Sequence, residues 1–286
     1  MTFNITREEW FLDKARNLRK QLDEEEAEKA RQQAEAERLA IENANKPKAK
    51  QKPKPQETPE IITPADIDTS KYIIHPTADL LVPLQQSHNG MNYENTMREV
   101  YGQGERVMTP KQFIDYFMAV KQASEGKQTL SYADNSQLTQ PESKEIWNFL
   151  SSTNRTKGDL WMWLNGMFKQ QGTLRKKWTL EKVTGIKNGN LITTSEPLEN
   201  CLMQDTYVNL KFNNQGLPTE KSQTDEYKQG TNLKYWYPRN GGVAWFGADS
   251  DGAGLGCIRE PDYHDDSLGV FSCREATHTK NSGGNP

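Results

Sequence analysis

Residues 241–273 read GGVAWFGADSDGAGLGCIREPDYHDDSLGVFSC. Alternate positions here are small or apolar: Ala244, Phe246, Ala248 and Ser250, then Ala253, Leu255 and Cys257 after a one-residue shift at Asp251-Gly252. A strict period of two puts these side chains on one face of a β-hairpin, packed inward. The Ser250-Asp251-Gly252 turn suits a positive φ at Gly252. The outward set is Trp245, Gly247 and Asp249, then Gly254, Gly256, Ile258 and Glu260. It has no common chemistry, and its glycines weaken a strand where Thr, Val or Tyr would strengthen it. The expectation is a hairpin held by its inward register, with an outward face that the fold leaves free.

Upstream, Thr109-Pro110 predicts a helix start, with Thr as N-cap and Pro at N1. Phe113, Tyr116, Phe117 and Val120 form its apolar stripe, and Gly126 ends it. A second helix is expected near Gln140-Pro141, carrying Ile146, Trp147, Phe149 and Leu150. DLWMWLNGMFK at 159–169 suggests a buried strand or a short helix. Residues 172–217 read as short strands with tight turns, among them the turn at Asn188-Gly189-Asn190, and LKYWYP at 233–238 as a further aromatic strand.

The chain has 286 residues, 34% hydrophobic and 26% charged, with a formal net charge of -3. A compact domain is usually richer in apolar residues, so polarity must be concentrated somewhere. It is concentrated in residues 1–45, where Phe11, Ala15, Leu18 and Leu22 make a short helical stripe followed by an Ala/Glu/Lys-rich run. That predicts a charged helix whose N-terminal end could dock on a partner or self-associate. A linker follows at 46–70, where Pro47, Pro53, Pro55 and Pro59 alternate with unpaired lysines to give a solvated, disordered tether. Residues 71–286 are left as the globular head. No apolar run is long enough to span a membrane, no secretory signal is visible, and the near-neutral charge gives no reason to expect nucleic acid as the main partner. A cytoplasmic or virion-associated location follows as the expectation. Cys201, Cys257 and Cys273 form no zinc-site spacing, and no metal or other cofactor is expected. Asp249-Ser250-Asp251-Gly252 has the opening of a calcium loop without its later ligands, so tight-turn chemistry explains it better.

The ending Arg259-Glu260-Pro261-Asp262-Tyr263-His264-Asp265-Asp266-Ser267-Leu268-Gly269-Val270, followed by Cys273, resembles the C-terminal signature of C-type-lectin folds of the formylglycine-generating-enzyme type. The motifs Phe246-x-Ala248-x-Ser250, Ala253-x-Leu255-x-Cys257 and Ser267-Leu268-Gly269-Val270 are similar to those of the target proteins of diversity-generating retroelements, particularly from archaea and their viruses. Met108-Thr109-Pro110-x-x-Phe113 and Cys201-Leu202-Met203 also look like that family. The resemblance is most specific over the C-terminal stretch and does not cover the N-terminal helix. It implies an α+β, C-type-lectin-like head at 71–286 with a variable region at about 241–274.

In that family a reverse transcriptase rewrites adenine-containing codons, and the protein displays the varied residues as a ligand-binding face. The resemblance therefore implies a noncatalytic protein that binds a protein or glycan through Trp245, Gly247, Asp249, Asp251, Gly252, Gly254, Gly256, Ile258, Glu260, Asp262, Tyr263, His264 and Asp265. Phe246, Ala248, Ser250, Ala253, Leu255, Cys257, Pro261, Leu268, Gly269 and Val270 would be the constant scaffold. Two alternatives stay open: an oxidoreductase of the formylglycine-generating type, which needs a reactive cysteine pair, and an attachment protein whose face does not vary. The inward register requires Phe246, Leu255 and Val270 to be buried, with Trp245, Tyr263 and His264 sharing one exposed surface.

Overall fold

A computed structural model of the chain describes residues 67–154, 158–172 and 177–276. The charged helix expected at 1–45, and the tether up to residue 66, lie outside the described residues. The first elements in chain order are β1 (Tyr72–Ile74), β2 (Leu80–Pro83), α1 (Tyr93–Gly102), β3 (Arg106–Val107), α2 (Pro110–Ser124) and α3 (Gln140–Ser151). The strands β4 (Leu160–Gln171), β5 (Lys177–Lys187), β6 (Asn190–Pro197), β7 (Thr206–Asn209) and β8 (Asn232–Trp236) follow. The last are β9 (Val243–Asp249), β10 (Gly252–Arg259), β11 (Leu268–Gly269) and β12 (Ser272–Glu275). The architecture is mixed α+β, mostly sheet with few helices. No described helix is long and apolar enough to cross a membrane.

Both predicted helices form where their caps place them. Thr109 and Gln112 make a reciprocal capping box at the start of α2, and Thr139 and Glu142 do the same at α3, each with proline in the first turn. The helix α1 was not anticipated. Its N-cap Asn92 accepts a hydrogen bond from the Asn95 amide, and it buries Tyr93, Met97, Val100 and Tyr101, an i, i+4, i+7, i+8 stripe.

The large sheet runs β6-β5-β4-β9-β10-β8-β7. Its neighbours are antiparallel except for the parallel pair β10–β8, and β11 adds a short parallel bridge to β4. One face of its centre packs on α2 and α3: Phe246 lies 4.4 Å, ring to ring, from Phe113 and 5.5 Å from Phe117. Phe246, Ala248, Ala253, Leu255 and Cys257 are all buried on this side, as the inward register requires. Ser250, assigned to the same set, instead sits exposed in the hairpin turn. The opposite face has its own core, in which Tyr93 meets Trp163 edge-on at 5.8 Å, beside Val100, Val243 and Leu268. The sheet is therefore covered on both sides, and its central strands are not half-solvated.

Buried Asn165 sits at the irregularity in β4 between Trp163 and Met167, where the strand's register with β9 shifts and before its pairing with β5 begins. The Asn165 amide nitrogen donates to the Tyr101 hydroxyl and the Val183 carbonyl, both at 2.8 Å, while its oxygen accepts from the Val183 amide at 2.7 Å. A side chain thus mimics the missing ladder bonds and leaves no buried polar atom of its own unpaired.

His75 ties the small sheet to α2. Its Nε2–H donates to the Gln112 carbonyl at 2.8 Å, and Nδ1 accepts from the Thr77 and Ala78 amides, so the ring is held neutral. Burial holds its pKa below the usual 6.5, against the pull of Asp115 and with help from Lys111. Below pH 6.5 the unfolded chain takes up a proton that the folded head refuses. This contribution to stability is complete above pH 6.5 and is lost as pH falls through the lowered folded value. The expected result is a thermal midpoint that drops on acidification from pH 7 to pH 5 more steeply in the native protein than in His75→Gln. Parallel slopes would refute it.

Candidate functional site

On the second face of the sheet, three glycines of the hairpin, Gly247, Gly254 and Gly256, each lie under a tryptophan. In the cross-strand register Trp161 stands opposite Gly247, and Gly256 stands opposite both Trp245 on β9 and Trp236 on β8. A Cβ built on Gly247 would come within 2.6 Å of the Trp161 ring, and one on Gly254 within 2.7 Å of Trp236. One on Gly256 would stand 2.1 Å from Trp245 Nε1. These are distances real Cβ atoms essentially never show, so the indoles lie flat on bare backbone. The three rings pack side by side, with Trp245 in the middle, 5.3 Å from Trp161 and 5.0 Å from Trp236. At the hairpin turn, Tyr227 rests in the same way on Gly252, whose φ is +113°.

A β-bulge then brings a cation to the rings. Gly256 pairs with Trp245 but Arg259 pairs with Val243, so Cys257 and Ile258 together face Ala244. The extra residue shifts Arg259 onto the tryptophan face, where strict alternation would have put it on the other. Its guanidinium carbon lies 4.5 Å from the Trp245 ring centre, 4.5 Å from Tyr263 and 5.4 Å from Trp161. Burial lowers its pKa, partly offset by Tyr263 and Asp265. Lys234 sits over Trp236 at 5.1 Å.

These groups wall a cleft of about 520 Å³, with Asp249, Asp251, Ile258 and Glu260 at its margins. Asp249 Oδ1 accepts from the Asp251 amide at 2.8 Å, fixing the hairpin tip as an Asx turn. After Glu260 the chain turns back: the Tyr263 amide donates to the Glu260 carbonyl, and Asp265 accepts from both the amide and the hydroxyl of Ser267. The Ser267 contacts hold the Asp265 carboxyl below its usual pKa. The Tyr93 amide binds the Pro261 carbonyl, anchoring this loop to α1.

Nine of the thirteen residues proposed from the sequence line this one cleft: Trp245, Gly247, Asp249, Asp251, Gly252, Gly254, Ile258, Glu260 and Tyr263. Gly256 lies beneath it under Trp245, while Asp262, His264 and Asp265 are exposed on the adjoining loop and do not line it. The demand for a shared exposed surface is met only in part. Tyr263 and His264 are exposed, but Trp245 is only 4% exposed, and Gly247, Gly254 and Gly256 are buried. The physical reason is the glycine floor: absent side chains let neighbouring indoles close over the strand and bury it. The outward residues that lacked any apparent packing pattern do have one, tryptophan on glycine.

No family model matches this chain, and no curated protein or solved structure matches it either.

Sequence reasoning missed Trp161, Trp236, Lys234 and Arg259. The first three were legible as alternation within DLWMW and LKYWY, where Trp161/Trp163 and Lys234/Trp236 each share a face. Arg259 had no such signal, because bulges leave no periodicity to read. Among the described residues, no group of three or more His, Cys, Asp or Glu is placed to hold a metal ion. Cys257 and Cys273 are buried and Cys201 half-buried, and burial pushes all three thiols above their usual pKa. The Tyr235 hydroxyl, buried between sheet and helices, has Cys201 and Cys257 as its neighbours.

Proposed function

We propose that the head is a noncatalytic binding module, a C-type-lectin-like scaffold that presents a ligand face on β9, β10 and the loop after them, in the manner of the variable proteins of diversity-generating retroelements. The observation that carries the reading is convergence: nine residues chosen as one outward set line one concave, aromatic, partly charged cleft. Clefts of this size with aromatic walls and a few placed polar groups are what small-ligand recognition needs. The constant part is larger than the motifs alone imply. Trp245, Gly247, Gly254 and Gly256 belong to the scaffold, since side chains at those glycines would strike indole rings. Sequence freedom is left to Asp249, Asp251, Ile258, Glu260, Asp262, Tyr263, His264 and Asp265, which are exposed or half-exposed and whose changes disturb little packing.

An oxidoreductase of the formylglycine-generating type would need an ionised, accessible thiol. Burial acts against ionisation at all three cysteines, which favours the binding reading.

The test is the DNA around the gene. A near-identical repeat of the segment encoding 241–274 is expected nearby, differing mainly at adenines, together with a reverse-transcriptase gene. The differences should fall in the exposed group and spare the codons of Gly247, Gly254 and Gly256. Absence of both repeat and reverse transcriptase would remove the retroelement reading and leave a fixed binding module.

A further inference from the structure

Arg259 is the exception among the described arginines. Among the described residues, Arg98 pairs with Glu94, Arg106 with Glu275, Arg239 with Asp205 and Arg274 with Glu105. Arg259 is the most enclosed by aromatic rings, yet among the described residues no carboxylate forms an ion pair with it, and Asp265 acts on it only at longer range. A half-buried guanidinium normally finds an anion, because its five donors lose water when they are covered. Here the rings take its face and the Tyr263 side chain takes one hydrogen bond, leaving its other in-plane N–H groups for something that enters the cleft.

The other walls narrow what that is. Three indoles side by side offer an apolar floor suited to the C–H face of a ring, with Trp245 sealed beneath and Trp161 and Trp236 half-exposed. The margin carries Asp249, Asp251 and Glu260, three carboxylates that accept hydrogen bonds from hydroxyl groups. They would repel a phosphate dianion far more than a monoanion. The cleft also lies over the face of β9 and β10, whose backbone groups are engaged in the sheet on both sides, so an extended peptide would gain no ladder bonds here.

We infer that the cleft takes a carboxylate-bearing pyranose, a sugar residue of the uronic-acid type, with its ring on the indoles and its carboxylate on Arg259. The fork of the guanidinium matches a carboxylate in two parallel hydrogen bonds. The sugar hydroxyls turn to Asp249, Asp251 and Glu260, and Lys234 lies beside Trp236 at the far wall. The assignment rests on the proposed reading of this face as the ligand face, and it names the ligand that the reading leaves open.

The full-length protein has its tryptophans as the reporter. Trigalacturonate, its methyl ester and neutral galactotriose are titrated while indole fluorescence is followed, with calorimetry for affinity. Trigalacturonate is expected to saturate the signal, with the ester and the neutral sugar at least about tenfold weaker. In Arg259→Gln the acid should fall to the affinity of the ester, and in Arg259→Lys it should lie between. Equal binding of acid and ester to the unmodified protein, or saturation by none of the three, overturns the inference. That comparison stands even if an Arg259 variant fails to fold. The gene-flank test is untouched by these outcomes, so the ligand assignment and the retroelement reading fail separately.

Discussion

Replacing Gly256 by valine is expected to destabilise the head by about 3 kcal/mol, although valine is a far better strand former than glycine. Propensity alone favours the change by up to about 1 kcal/mol. Packing opposes it more strongly. The new Cβ would stand 2.1 Å from Trp245 Nε1, and Trp245 cannot retreat because Trp161 and Trp236 flank it at 5.3 and 5.0 Å. Overfilling a closed site of this kind typically costs about 1–3 kcal/mol, or more where the neighbours are rigid. Equilibrium urea unfolding would measure the loss, and the near-UV circular dichroism of the indoles should change with it. A midpoint equal to or above that of the native protein would mean that the outward face is free after all.

On the inward face, Phe246→Ala is expected to cost about 3–5 kcal/mol, as large aromatic truncations in closed cores do. The ring is fully buried and touches Phe113 and Phe117 of α2, and with them the Trp147 side of α3. Phe246→Leu keeps most of the volume and should lose less than about 1.5 kcal/mol. The same unfolding experiment decides it, and a loss below 1 kcal/mol for the alanine variant would show that Phe246 is not the bridge between sheet and helices. Measured together, the two substitutions compare the faces directly. Similar losses mean the hairpin is load-sharing on both sides.

The elements with strong local grammar were legible. Thr109-Pro110 announces α2 through capping, Gln140-Pro141 marks the start of α3, and Asn188-Gly189, both at positive φ, announce the β5–β6 turn. The alternation of Phe246, Ala248, Ala253, Leu255 and Cys257 gave the inward register of the hairpin correctly. What was not legible is what depends on partners distant in sequence. Gly247 and Gly256 look like weak points until Trp161 and Trp236, which lie far off in the chain, are laid on them by strand pairing. Glycine in a strand then means close approach, not freedom. The site shows the same division: the hairpin's own contribution was readable, whereas Arg259 depended on a single extra residue at Ile258 that inverts alternation beyond it.

The small sheet has the order β1-β2-β12-β3, so the last described strand lies between two of the first. Arg274 meets Glu105 and Arg106 meets Glu275 across this junction. A ribosome must therefore deliver nearly all of the described chain before β2 and β3 can find the strand that separates them. Such long-range closure slows folding, because chain entropy is lost before the contact repays it. Until then β2 and β3 present open edges, the kind that recruit strands from other nascent copies. Early translation stops in this gene should accordingly yield aggregates, while changes confined to the exposed loop after β10 should pass through synthesis unnoticed.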